Sequence, residues 1–427
     1  MDNLSDDLLI EIWCRVPFKT ALRCKSISKR FLALISQLQF IERFIFHQLL
    51  HHTTAVEESD TDLQHKWHFN FISNRKLLIS FFPNHHPSNP QNQISLNFLG
   101  RKFDPKLDQV ARKKHVLYSR IVGFSNGLFL CKKTTCGRVY HVCNPITKHW
   151  IKLPLPPPPR TGHNKRDRVL EGFVCEPYYK VEQNTHKITF NQHRFRVVRF
   201  PCFEGTLNQI LRGITKFDFE MFVFSSETGQ WNKKNVSCSN GFTQCTLLLN
   251  VVAHEGFLYF MGRTSVLVYD PFNNDEKCDI INFPIGASSG DILFNGHVGV
   301  CCGKIRMACF CTIQMCVKVW ELEKNEEEYS WCLLHVTCFP LPHARDCVVD
   351  ELMDGRRGEI VDMGMQVRAF HPYDGDVVFF QRAHRIFLGN LKSNKFDGVG
   401  YGIHGFQSLQ IVSLDLPLWP TPIPSVT

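Results

Sequence analysis

Over the first fifty residues the apolar positions fall on a helical period. Leu4, Leu8, Ile12 and Val16 recur every four residues, the spacing of one helical face. Leu9, Ile10 and Trp13 are apolar on the other side of the same stretch. Ser5 stands where it can cap the open amides. Asp2, Asp6, Asp7 and Glu11 crowd negative charge at the end that the helix dipole favours. Pro17 lacks the donor that a further turn requires, so the spacing predicts that this helix ends near Arg15 or Val16. A second, shorter helix is expected over Thr20–Lys25, and a third, capped by Ser28, carrying Phe31, Leu34, Ile35 and Leu38. Phe40, Ile41, Phe44, Ile45 and Leu49 continue the helical period. Helices this short bury too little among themselves to stand alone. The first is apolar on more than one face, so a foreign surface is expected to cover it. The plainer alternative is a helix docked on the rest of the chain.

The pattern changes after residue 50. His51 to Gln64 is polar and acidic and reads as a linker, giving a helical unit over 1–50, a linker over 51–66 and a second domain over 67–427. From Trp67 onward short runs of strand-forming residues are separated by Gly, Pro, Asn and Asp turns. In Lys216 to Phe224, the residues Phe217, Phe219, Met221 and Val223 share one face of an alternating strand, and Asp218 and Glu220 the other. Thr246 to Ala253 and Phe257 to Met261 are apolar on both faces and suit strands buried between layers.

A turn-plus-aromatic unit recurs in this second domain. It runs Asn144-Pro145-Ile146-Thr147-Lys148-His149-Trp150, then Ser225 to Trp231, then Asp270-Pro271-Phe272-Asn273-Asn274. Weaker copies lie from Glu321 to Trp331 and at His371-Pro372-Tyr373-Asp374-Gly375. From Ser225 on, the period is about 45 to 50 residues, the blade length of a propeller. The longer interval between Asn144 and Ser225 implies an insertion or a degraded strand pair around Pro154 to Phe200. Radial packing of blades hides most strand edges, which explains how so many strands stay in solution. The fold class expected is therefore multidomain: a small all-α unit followed by an all-β propeller of six to eight blades, the last strand completing the first blade.

Composition narrows the function. With 427 residues, 44% hydrophobic and 21% charged, the chain has ample material for a large core, which excludes general disorder. No basic and apolar leader precedes the helices, and the longest uncharged stretch, Asn235 to Ala253, is too polar to span a membrane. Eighteen cysteines without a secretory leader are expected as buried thiols in a reducing compartment, without disulfides. The net charge of +9 includes small basic clusters at Arg112-Lys113-Lys114 and His163 to Arg168. They are short enough to be solvated loops, and no nucleic-acid role is expected.

Two stretches carry a resemblance. Between Leu4 and Phe31, the strings DDLLIEI, RVP and K.ALR.K.ISK resemble the F-box without a gap. Leu4-Ser5 replaces the family's usual Leu-Pro, and Lys29-Arg30-Phe31 its Lys-x-Trp. Gly123-Phe124-Ser125-Asn126-Gly127-Leu128, Asn144-Pro145, Leu153-Pro154, SSETGQW, Val319-Trp320-Glu321-Leu322 and Leu416-Pro417-Leu418-Trp419-Pro420 together resemble the F-box-associated, kelch-related domain of plant F-box proteins. The resemblance implies a substrate-recognition adaptor of an SCF-type (Skp-cullin-F-box) ubiquitin ligase. Its helices would dock on a Skp-family linker protein, and through it on cullin and RING subunits, while the propeller captures a target protein. By match to the motif, the adaptor-binding residues would be Leu4, Leu8, Leu9, Ile12, Val16, Pro17 and Leu22. A cytoplasmic or nuclear location is implied. The chain would act by raising local concentration rather than by bond chemistry. The rival reading is a propeller that binds a protein or a glycan outside any ubiquitin pathway, with the helices as a structural cap. Deleting Met1 to Leu50 should then separate the two, leaving a soluble propeller only on the adaptor reading.

Other candidate chemistry is weak. Cys309, Cys311 and Cys316, with Cys301 and Cys302, suggest a zinc site, but strand spacing puts Cys309 and Cys311 on one face as buried thiols rather than in a ligand turn. His51-His52 and His85-His86 sit in polar loops. Gly123 to Gly127 has the look of G-x-S-x-G but lies between two strands, so a hairpin turn is expected there rather than a nucleophile elbow. The prolines from Pro154 to Pro159 read as a rigid surface connector or a polyproline ligand. No catalytic constellation, metal or cofactor is expected.

Overall fold

A computed structural model describes residues 4–54, 69–71, 78–80, 93–95, 119–133, 138–158, 169–182, 187–202, 213–244, 251–273, 276–284, 296–311, 314, 316–325, 328–338, 365–382, 385–401, 411–413 and 417–424. The helices begin where their caps place them. Helix α1 (Asp6–Cys14) opens on Ser5, whose hydroxyl accepts from the Leu8 amide at 3.4 Å. Helix α2 (Phe18–Cys24) starts two residues before the expected Thr20, because Pro17 is pre-set at its N-cap with φ −55°. Helix α3 (Lys29–Ser36) is capped by Ser28, which accepts from the Phe31 amide at 3.1 Å. Gln37 is extended and breaks the helix, so Leu38 opens helix α4 (Leu38–Thr54) instead of closing α3. That last helix runs past residue 50 into the stretch read as linker, and His51 and His52 lie on it.

The β region begins with β1 (Phe69–Phe71), β2 (Leu78–Ser80) and β3 (Gln93–Ser95). Five antiparallel four-stranded blades follow. Blade one is β4 (Ser119–Ser125), β5 (Leu128–Lys133), β6 (Tyr140–Cys143) and β7 (Trp150–Lys152). Blade two begins with β8 (Val169–Cys175), is interrupted by the hairpin β9 (Tyr179–Val181) and β10 (Ile188–Phe190), and continues with β11 (Phe195–Pro201), β12 (Ile214–Ser225) and β13 (Gln230–Gln244). Blade three is β14 (Val251–His254), β15 (Phe257–Met261), β16 (Ser265–Tyr269) and β17 (Asp279–Asn282). Blade four is β18 (Gly296–Cys301), β19 (Lys304–Cys311), β20 (Cys316–Asn325) and β21 (Glu328–Cys338). Blade five is β22 (Gln366–Phe370), β23 (Val377–Arg382), β24 (Arg385–Asn390) and β25 (Lys395–Tyr401).

The first strands β4, β8, β14, β18 and β22 lie beside one another at the centre. A last strand, β26 (Ile411–Ser413), pairs with β1 in a two-stranded sheet, so the end of the β region returns to its beginning without completing the four-stranded blade β4 to β7. Among the described residues there are five complete blades, fewer than the six to eight expected. That expectation spreads the period over the whole of 67–427, whereas the described residues between 55 and 118 form only three three-residue strands, β1 to β3. The long interval before Ser225 holds an insertion, the β9–β10 hairpin, within an otherwise full blade.

Turn chemistry accounts for the blades' common frame. Asn126 and Gly127, at φ 46° and 79°, make the two-residue hairpin between β4 and β5, a conformation in which both residues need positive φ. No nucleophile elbow forms there. Between third and fourth strands, Asn144 Oδ1 accepts from the amides of Ile146 (2.8 Å) and Thr147 (3.1 Å), and Asp270 Oδ1 from those of Phe272 (2.9 Å) and Asn273 (3.2 Å). The fifth member of this series is not at His371, which turns between β22 and β23. It is at Asn390, whose Oδ1 accepts from Lys392 (3.1 Å) and Ser393 (2.8 Å) between β24 and β25. His371 makes a similar turn with its ring nitrogen at 2.9 Å from the Asp374 amide, so the local pattern is imitated at a different place in the blade.

The ring that follows the turn joins neighbouring blades. Trp231 on β13 donates its indole N–H to Pro154 O at 2.9 Å, and Trp331 on β21 donates to Asn282 O at 2.9 Å, each reaching the blade before its own. Pro154 to Pro158 is accordingly a surface connector held to the blades, with Arg138 donating to Pro156 O at 2.5 Å. Phe219, Met221 and Val223 are buried as expected, but Phe217 is exposed. The β12–β13 register shifts between Lys216 and Asp218: opposite Phe217, β13 runs from Phe242 back to Ser237, so the regular ladder is interrupted there. Cys301, Cys309, Cys311 and Cys316 are buried strand thiols, whereas Cys302 is exposed on a turn. The expectation of no disulfide is corrected: Cys238 on β13 is bonded to Cys278, with Cα atoms 5.5 Å apart. Parallel pairing of Ser237 with Lys277 lays that segment of blade three along the outer edge of blade two and brings the sulfurs together.

His141 on β6 is 1% exposed, and burial, aided by Lys152 and Lys133, lowers its pKa to about 4. The folded protein therefore binds this proton less readily than the unfolded chain. The stability contributed by its neutral state is complete above about pH 6.5 and is lost between there and about pH 4, by about 1.4 kcal/mol per pH unit at most for this one group, and His297, whose pKa desolvation lowers likewise, adds to the same fall. Urea unfolding at pH 7 and pH 5 is expected to show this loss, and His141→Phe should reduce it, with His297→Phe removing a further share. A wild-type profile with no fall over that window contradicts the neutral buried imidazole.

Candidate docking site on the helical unit

The helical unit is built around Trp13. Its ring meets Phe31 edge-on at 4.6 Å and Phe40 at 6.3 Å, with Leu9, Ile10, Ala21, Leu34, Ile35, Ile41, Phe44 and Ile45 buried about it. Arg30 ties the starts of α1 and α3 together: it donates to Asp6 Oδ1 from Nε (2.9 Å) and Nη2 (2.6 Å), and to Leu4 O at 2.6 Å. Gln48 of α4 donates to Cys14 O at 3.0 Å and so satisfies a carbonyl at the end of α1. Burial first, then the nearby Glu11 carboxylate, push the Cys14 thiol up to about 11, so it is an inert packing group.

The seven motif positions are divided by this packing. Leu8 and Ile12, one turn apart on α1, are 54% and 49% exposed. Pro17 is exposed at the N-cap of α2, and Leu4, Val16 and Leu22 are half-buried against the helical cluster. Leu9 is 1% exposed and belongs to the chain's own core, which corrects its place among surface residues. One neighbour in sequence separates the two fates because successive residues on a helix point about 100° apart. Further apolar side chains stand in solvent where no expectation had been placed: Ile27, Leu32, Phe46 and Leu50. Asp7, Glu11 and Arg15 supply exposed charge beside Leu8 and Ile12 on the same helix, with Glu11 and Arg15 paired at 2.6 Å. Covering an aliphatic side chain of this kind is worth about 1.5–3 kcal/mol.

The inner side of the unit is covered from within. Trp419, 4% exposed, packs edge-on against Phe44 (5.2 Å) and Phe40 (5.8 Å), and the Lys25 ammonium lies 5.5 Å from its ring centre. Ile188, Tyr178, Tyr179, Val181 and Phe190, on or beside the β9–β10 hairpin, complete that contact. The sequence offered no signal for the hairpin contact, and Trp419 stood out only within its Leu-Pro-Leu-Trp-Pro string. Removing residues 1–50 would strip Trp419 and Ile188 of their cover, so the deletion is expected to lose solubility on either functional reading and does not separate them.

The helices thus lie at the end of the propeller where the first-to-second and third-to-fourth strand turns gather. Among the described residues no three His, Cys, Asp or Glu side chains converge as a metal site, and no helix is long and apolar enough to cross a membrane. The basic clusters at 112–114 and 163–168, and His85-His86, lie outside the described residues.

Residues 99–401 match the family described as "F-box protein At3g26010-like, beta-propeller". Curated relatives come from Arabidopsis thaliana. F-box protein At3g26010 is 24% identical over 92% of this chain and 78% of its own length, and F-box protein At1g49990 is 23% identical over 84% and 85%. An F-box/kelch-repeat protein, At1g15680, is 23% identical over 80% and 74%. The matched span takes in all five complete blades, and the longest alignment is wide enough to reach beyond them into the helical unit. The chain belongs to the plant F-box proteins that carry an At3g26010-like β-propeller.

Proposed function

We propose that this protein is the substrate-recognition subunit of an SCF-type ubiquitin ligase. Its helices dock on a Skp-family linker that leads to cullin and RING subunits, and its propeller holds a target protein. The observation that carries the reading is the pair Leu8 and Ile12: two aliphatic side chains left half in solvent on a helix whose other face is already satisfied. An intramolecular need for apolar cover is met by Leu9, Ile10 and Trp13, which leaves Leu8 and Ile12 for a second chain. Pro17 and the half-buried Leu4, Val16 and Leu22 border that surface by their place in the motif. The target is assigned to the propeller, since loops on a rigid scaffold are the usual carriers of binding. The chain then works by proximity alone, holding target and ubiquitin donor together.

Replacing both Leu8 and Ile12 by Asp tests the reading. Desolvating a carboxylate against an apolar partner costs several kcal/mol, so linker recovery by co-purification should fall at least about 100-fold. Thermal unfolding should stay near that of the wild type, because both positions are open in the free protein. Unchanged recovery overturns the assignment. The contact between Trp419 and the helices favours a second reading, in which the unit is only a cap on a binding propeller; that reading requires the double substitution to have no effect on any partner.

A further inference from the structure

We propose that the C-terminal segment 417–424 is a clamp, with Trp419 as its wedge, that fixes the orientation of the helical unit on the propeller. The proposal rests on the adaptor reading, in which transfer between two bound partners depends on a constant separation between docking face and target.

The segment is attached to both bodies by separate groups. On the propeller side, Thr421, 1% exposed, donates its hydroxyl to Asn126 O at 2.6 Å, and Asn144 donates its side-chain amide to Thr421 O at 2.7 Å. Both partners belong to turns of blade one, and Pro417 sits over Gly127 of the same hairpin, where an added Cβ would come within 2.9 Å of the proline ring. His193, after the β9–β10 hairpin, donates to Pro422 O at 2.6 Å, and Ile423 packs on the core shared by blades one and two. On the helical side, Trp419 and Leu418 enter the cluster of Trp13, Phe40 and Phe44, while the Trp419 amide lies 3.4 Å from the Tyr179 hydroxyl.

Each attachment alone is a small term, and the geometry makes them cooperate. Asn144 already closes the third-to-fourth strand turn of blade one with its Oδ1, so its Nδ2 is held rigidly at the strap. An aromatic ring gripped by two phenylalanines resists rotation about the strap because edge-on pairs are orientation-specific. Domain motion is the default where the interface between two bodies is small. The strap and the hairpin remove that freedom from two sides.

The test uses the full chain with Trp419→Ala, Trp419→Phe and Thr421→Val, each measured by small-angle X-ray scattering, by amide exchange at Ile188–Phe190 and by linker co-purification. Trp419→Ala should shift the maximum particle dimension upward and speed exchange in the hairpin while linker recovery stays within about threefold of wild type. Trp419→Phe should restore the wild-type scattering. Thr421→Val leaves the helical cluster untouched, so it keeps the test valid if Trp419→Ala fails to fold, and it should give the same expansion to a smaller degree. Wild-type scattering from both Trp419→Ala and Thr421→Val overturns the clamp, as does lost linker binding without expansion, which would make Trp419 a core residue of the docking unit. Expansion in a chain whose wild type captures no linker would uphold the clamp and overturn the adaptor reading instead.

Discussion

Replacing Glu171 by Ala should destabilise the protein by about 3–5 kcal/mol, the cost of leaving a buried charge without its partner. Glu171 on β8 receives the Lys132 ammonium of β5 and the Tyr140 hydroxyl of β6 at 2.6 Å, and Tyr140 in turn accepts from Arg199 Nε of β11 at 3.1 Å. All four side chains are under 9% exposed, and together they join blade one to blade two. Burial first, then the Glu171 charge, raise the Tyr140 phenol far above its ordinary range, so it stays a neutral donor. Removing the carboxylate strands the Lys132 cation in the interior, whereas replacing Lys132 by Met and Glu171 by Leu together removes both charges of that pair and should recover part of the loss, Arg199 staying buried beside Tyr140. Urea unfolding of single and double variants checks this. A single substitution costing under about 1 kcal/mol would mean that water, not Glu171, neutralises Lys132.

Phe200→Ala should cost a comparable amount, about 3–5 kcal/mol, through the cavity it leaves. The ring is fully buried where blades two and three meet, stacked on Phe219 at 4.7 Å and set edge-on to Phe260 of blade three at 5.6 Å, with Phe242 at 5.9 Å. Three aromatic neighbours cannot all shift inward, so little of the void can close. Phe200→Leu should lose less, since it refills most of the volume. Equal losses for Ala and Leu would show that ring geometry rather than volume matters at this seam.

Blades joined by buried charge and by rings transmit little bending. On the clamp proposal the helical unit, where no extended sheet is available, is held by Trp419 together with the β9–β10 hairpin.

Several features were legible because they depend on neighbours in sequence. Ser5 and Ser28 cap helices, Pro17 separates them, and Asn126-Gly127, Asn144, Ser225 and Asp270 turn the chain, all by short-range hydrogen bonds or backbone sterics. The period of those turns was enough to identify blades. It failed where a local imitation existed: His371 closes an Asx-like turn as well as Asn390 does, and sequence spacing alone does not say which pair of strands a turn connects.

What the sequence by itself determined was the inventory: a helical unit with two apolar faces, then strands repeating at blade length, and the F-box pattern across Leu4 to Phe31. Only the tertiary structure decided how that inventory was partitioned. Leu8 and Leu9 are the same residue type side by side, and their opposite exposures follow from which face meets Trp13. Phe217 is exposed where extra residues in β13 interrupt the β12–β13 ladder. Cys238 and Cys278, far apart in sequence, met because the edge of one blade was covered by a segment of the next. Trp419 found its place between Phe40 and Phe44 for the same reason: burial depends on what the rest of the chain brings near, and contacts between distant segments leave no trace in local period or spacing.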